Sequence, residues 1–161
     1  ERPKQLRHEH FLACISSNAD VARKIIRKTA RLANYYHSDW SVLYVQTPNE
    51  RMDRIPLDKQ RHLLNNFKLA VEMGAEVIQA QTGGLSAVNG SGMGFLPAKV
   101  LNLDKTNIAD AVMQVVQDKQ ITTVCIGKPH ISIWQVILRT SGFNRLLTTL
   151  AENDIDLVIL S

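Results

Sequence analysis

A chain of 161 residues, 45% hydrophobic and 21% charged, has material for one well-cored domain and too little for two. Nineteen Lys and Arg against fifteen Asp and Glu leave a net charge of +4, an excess that admits anionic ligands without selecting one and gives no indication of nucleic acid. No apolar run reaches the roughly 18 residues of a membrane span, no secretory h-region opens the chain, and two cysteines form no disulfide framework.

In chain order, residues 1–9 are polar and basic and read as a linker. The opening Glu1-Arg2-Pro3, without Met, is expected of a piece of a longer protein. His10 to Ser16 reads as a first strand, because Phe11 to Ile15 form the continuous apolar run of a strand buried on both faces. Ser16, Ser17, Asn18 and Asp20 then offer N-caps to a helix from about Ala19 to Tyr36. On that helix Val21, Ala22, Ile25, Ile26, Thr29, Ala30, Leu32, Ala33 and Tyr36 take one half of the wheel. Arg23, Lys24, Arg27, Lys28 and Arg31 take the other, as a solvated surface or as a docking face for an acidic partner or an anionic membrane surface.

Asp39 to Val45 is the second strand. Pro56 to Met73 is the second helix, with Pro56 suited to its first turn and Gly74 to its C-terminal cap, and Ala75 to Ala80 is a short third strand. Residues 81–106 hold five of the eight glycines and no sustained period, so they read as a glycine-rich insertion. Asn107 to Lys119 resumes as a helix, followed by a strand at Thr122 to Ile126, a helix at Phe143 to Ala151 and a strand at Asp156 to Leu160. This alternation predicts an α/β domain over residues 10–161, with a doubly wound five-stranded parallel sheet and helices on both faces. Cys14 and Cys125 fall inside strands and read as buried core thiols.

Motifs for chemistry are sparse. Gly90-Ser91-Gly92-Met93-Gly94 neither follows a strand nor opens a helix, so it is no dinucleotide fingerprint, and no P-loop is present. His8 and His10 alternate at a strand entry without a third ligand at metal spacing. No Ser-His-Asp set or paired carboxylates assemble, and the residues point to no catalytic centre. The stretch that remains is Gly127 to Ser141, beyond the end of a strand, where open α/β sheets bind ligands. Within it His130 reads as a hydrogen-bonding loop residue before it reads as an acid or base.

Gly127, two residues, position 130, nine more, then 140 and 141 follow the spacing G-x2-G-x9-G-[ST]. With the strand and helix order, this resembles the universal stress proteins, of the adenine nucleotide alpha hydrolase-like fold. Gly127-Lys128-Pro129, Trp134, the Arg-x-Ser-x3-Arg-Leu-Leu run ending at Leu147, Ala30-Arg31-Leu32-Ala33 and Leu43-Tyr44-Val45-Gln46-Thr47-Pro48 resemble the stress-protein domain of KdpD sensor histidine kinases.

The resemblance implies a cytoplasmic, non-catalytic regulatory domain of a membrane-bound, potassium- and turgor-responsive kinase. Its partners would be the other kinase domains, a second copy or another stress protein; a free-standing ATP-binding stress protein is the alternative. It implies an ATP pocket at Gly127, Lys128, His130, Thr140 and Ser141. Here His130 and Thr140 stand where the pattern has glycines that admit phosphate to backbone N–H groups, and Ser16 stands near where relatives carry an acidic residue. Lys128 and the helix opening after Ser141 still favour an anion. Relatives that bind cyclic di-adenylate do so through a serine pair and an aromatic-Thr-Ala-x-Tyr run, to which Ser16, Ser17, Trp40, Ser41 and Tyr44 correspond in part, with Ala19 and Val42 departing from it.

Overall fold

The computed structural model describes residues 8–46, 55–82, 98–103, 108–127, 148 and 150–161. In chain order these give β1 (His10–Ile15), α1 (Ala19–Tyr35), β2 (Asp39–Gln46), α2 (Leu57–Glu72), β3 (Glu76–Thr82), β4 (Ala98–Leu103), α3 (Ile108–Asp118), β5 (Thr123–Gly127) and β6 (Asp156–Leu160), with a helical turn at 150–152 before β6. The strands form one sheet in the order β4-β3-β2-β1-β5-β6, and every pairing is parallel.

The doubly wound parallel reading holds, with six strands where the sequence reading expects five. The added strand, β4, lies inside the stretch 81–106 and pairs with β3 from Val77↔Ala98 to Thr82↔Leu103. It is an edge strand with a single neighbour, so it needs no continuous apolar run. Its sequence, Ala-Lys-Val-Leu-Asn-Leu, mixes polar with apolar residues and gives no clean period.

The apolar runs of the central strands split by alternation. Phe11, Ala13 and Ile15 of β1, with Trp40, Val42 and Tyr44 of β2, pack under α1 and α2. Leu12 and Cys14, with Leu43 and Ile78, pack on the other face with Val112, Val115 and Val116 of α3 and with Leu150. Both faces are covered, which is why these strands read as unbroken apolar segments. The outward steps β1-β2-β3 place α1 and α2 on one face, and the step back across the sheet places α3 on the other, as right-handed crossovers require.

Each helix returns to the sheet by one device. The N–H groups of Ser38, Ala75, Ile121 and Ile155 reach back to the carbonyls of Ala33, Ala70, Val116 and Leu150 at 2.9–3.0 Å, the six-to-one bond of a Schellman ending. The left-handed residue this needs is Gly74 after α2, but His37, Gln120 and Asp154 at the other three.

Candidate functional site

The topology marks a crevice before any side chain is considered. From β1 the chain moves outward through β2, β3 and β4, then crosses back to β5 on the other flank of β1. The sheet therefore changes direction between β1 and β5, and the space beyond their carboxyl ends is the ligand position of a doubly wound fold. Cys14 pairs with Ile126, so Ser16 and Ser17 leave β1 beside Gly127 at the end of β5.

Local hydrogen bonds shape this mouth. The Asn18 N–H donates to Ser16 Oγ at 3.1 Å, and Asn18 Oδ1 accepts from the Val21 N–H at 3.3 Å, which makes Asn18 the N-cap of α1. The first turn of α1 thus opens at the crevice, where its free N–H groups and dipole favour an anion. The exposed Asp20 in that turn opposes a highly charged one. Gly127 has a packing role that spacing alone does not reveal. A Cβ there would lie 2.6 Å from Ile25 Cδ1 and 3.2 Å from Val21 Cγ1, so its missing side chain lets α1 close over the end of β5.

Of the residues expected in the pocket, Ser16, Ser17 and Gly127 come together. Trp40 and Ser41 do not. They pair with Phe11 and Leu12 near the start of β1, at the amino end of the sheet. There the Trp40 Nε1–H donates to the Met73 carbonyl at 3.3 Å, and Ser41 Oγ lies 3.1 Å from His10 Nε2. Tyr44 is near the carboxyl end of β2 but fully buried, its ring edge-on to Phe67 at 5.7 Å; it supports the core below the crevice. Lys128, His130, Thr140 and Ser141 lie outside the described residues.

A second cleft, of ≈ 450 Å³, opens at the amino end of the sheet between His10, Met113, Lys119, Ile121, Asn153 and Ile155, with His8 at its rim. The sequence reading assigns no site here, and the alternation of His8 and His10 is the one feature of the chain that points to it. Much of its polar lining is already engaged: Lys119 Nζ donates to both Glu76 oxygens at 2.7 and 2.8 Å, and Thr122 Oγ1 to Glu9 Oε2 at 2.6 Å. Burial holds the pKa of His10 below its usual value, with the charge of Lys119 acting the same way and the charges of Asp39 and Glu76 against it. Among the described residues no three His, Cys, Asp or Glu side chains are placed to hold a metal ion.

Both cysteines are free and buried and face opposite layers. Burial pushes the Cys125 thiol up to about 11, and Cys14 higher still. Neither is a reactive thiolate. Among the described residues no helix is long and apolar enough to cross a membrane.

No protein-family profile matches the chain. It is 42% identical over 66 residues to the sensor protein KdpD of Escherichia coli, a match covering 41% of this chain and 7% of that protein. It is 30% identical over 124 residues to the sensor protein KdpD of Clostridium acetobutylicum, covering 76% of this chain and 10% of that protein. The matches thus span about a tenth or less of those relatives. Among solved structures, a universal stress protein in complex with cAMP aligns at TM-score 0.51 and 12% identity, covering 95% of this chain and 96% of the other. A universal stress protein from Archaeoglobus fulgidus in complex with dAMP aligns at 0.52 and 11%, covering 95% and 98%. At such low identities these two speak for the fold, and the KdpD proteins speak for the sequence type. The chain thus has the fold of the universal stress proteins and a sequence of the KdpD type.

Proposed function

We propose that this chain is the regulatory domain of a KdpD-type sensor histidine kinase in a two-component system for potassium uptake, and that it acts by holding an adenine nucleotide rather than by catalysis. The observation that carries the reading is the crevice at the sheet's change of direction, where Ser16, Ser17, Gly127 and the N-terminus of α1 converge. The cAMP and dAMP held by the two stress proteins of the same fold support an adenine ligand.

By the loop spacing, Lys128, His130, Thr140 and Ser141 are the further ligand candidates beside Gly127. His130 and Thr140, with Asp20 at the mouth, disfavour a triphosphate, so a ligand of lower charge density, cyclic di-adenylate or a monophosphate, binds more tightly than ATP. Trp40 and Ser41 take no part, because they sit at the other end of their strand. Ligand state would be passed to the remaining kinase domains, to a second copy or to another stress protein.

Titration calorimetry and thermal shift with ATP, dAMP, cAMP and cyclic di-adenylate, each beside its guanine counterpart, test the reading. Saturable binding of an adenine ligand over its guanine partner is expected, with no phosphate released from ATP in the presence of magnesium. Absence of heat and of thermal shift with every adenine ligand would overturn it.

A further inference from the structure

The net charge of the molecule is concentrated on one layer. α1 carries Arg23, Lys24, Arg27, Lys28 and Arg31 against Asp20, and α2 beside it carries Lys59, Arg61 and Lys68 against Asp58 and Glu72. Eight cations against three anions leave an excess of five on these two helices, more than the +4 of the whole chain. Arg23, Lys24, Arg27 and Arg31 are exposed, and among the described residues the Lys or Arg side chain paired with a carboxylate lies elsewhere, at Lys119–Glu76. Lys28 donates to the Ser161 carbonyl.

The same layer ends in apolar side chains. Arg23, Arg27 and Arg31 recur every fourth residue, and the next step in that row is Tyr35, 77% exposed. A helical rise of 1.5 Å per residue makes this row about 18 Å long. Tyr35 lies edge-on to Tyr36 at 5.1 Å, and Tyr36 rests against Phe11 at 5.8 Å. Phe11 pairs with Trp40, whose indole is bonded to the carbonyl of the exposed Met73. Tyr35, Tyr36, Val71 and Met73 thus stand exposed at one end of the cationic face, on anchored backbone.

We propose that this face lies on an anionic lipid bilayer, the arginine row against headgroup phosphates and Tyr35, Tyr36 and Met73 at the headgroup–acyl boundary. Cations alone would suit any polyanion. A row of arginines ending in phenol rings and a methionine fits a surface that is anionic outside and apolar just beneath, and such a surface asks for no complementary shape. The inference is independent of the adenine ligand, because the crevice is lined by other residues.

Co-sedimentation of the chain with phosphatidylcholine vesicles, with and without phosphatidylserine, tests it. Partition onto the anionic vesicles alone is expected, falling as salt rises. The Arg27→Gln/Arg31→Gln double variant should bind about 25-fold more weakly, at about fivefold per cation. Tyr35→Ser should weaken partition at unchanged net charge, with circular dichroism confirming that both variants keep the wild-type fold. Equal partition onto both vesicle types, full binding by the double variant, or binding of a soluble polyglutamate without vesicle partition would overturn the proposal; the last would mark the face as a dock for an acidic protein.

Discussion

Gly127 shows how one residue can be legible for one reason and constrained by another. Its place in a ligand-loop spacing marks it in the sequence, yet the contact that demands glycine is with Ile25 and Val21 of α1. Ile25 Cδ1 is the end of a side chain, but one that is 1% exposed and has little room to move. Gly127→Ala is therefore expected to cost about 1–3 kcal/mol through overpacking, read as a lower urea midpoint at unchanged m-value. An unchanged midpoint would mean that α1 yields freely.

His10 gives a second prediction at this scale. Its folded pKa is depressed below 6.5, so the unfolded chain takes up this proton more readily than the native one. Its contribution is complete above 6.5, declines as pH falls from 6.5 toward the lowered native value, and levels off below that. Asp39, Glu76 and Lys119 share its surroundings, so the comparison must be with a variant. Between about pH 7.5 and pH 5 the wild type should lose more thermal stability than His10→Gln; equal losses would remove His10 as the cause.

At the scale of elements, α1 has three duties. Its N-terminus opens at the crevice, its inner face of Ala22, Ile25, Ile26, Thr29 and Ala33 is buried, and its outer face carries the cations. The first duty depends on α2, because the buried Asn66 donates from Nδ2 to the Ala19 carbonyl at 3.1 Å and so ties the first turn of α1 in place. Asn66→Ala should cost about 1–3 kcal/mol and weaken adenine-ligand binding without touching the ligand. Loss of stability with unchanged affinity would show that the cap holds unaided.

The elements also mark where sequence reasoning stopped. α1, α2, α3 and the central strands were legible because two covered faces write continuous apolar runs and 3.6-residue periods into the chain; the helix expected at Phe143 to Ala151 lies mostly outside the described residues. β4 was not, since an edge strand carries neither signature. Trp40 and Ser41 belong to a motif along β2, which runs from Asp39 to Gln46. At about 3.3 Å per residue Trp40 stands roughly 20 Å from the strand's carboxyl end. The spacing matches and the residue types match in part, but only the register with β1 shows at which end they lie. Ser16, Ser17 and Gly127 were legible because each sits at a strand terminus, a boundary that apolar runs define well.

For the whole molecule, the two ends of the sheet carry different business. The carboxyl end holds the crevice at the change of direction, and the amino end holds a cleft whose Lys119 and Thr122 are already bonded to carboxylates. The central claim is that an adenine ligand occupies the first. Amide chemical-shift mapping of the isotope-labelled chain, titrated with cyclic di-adenylate and with ATP, tests that claim most directly. The largest shifts are expected at Ser16, Ser17, Asn18 and Gly127, with His10, Ser41 and Lys119 unmoved. Shifts gathered at His10, Lys119 and Asn153, with Ser17 and Gly127 unmoved, would contradict it and move the site to the other end of the sheet.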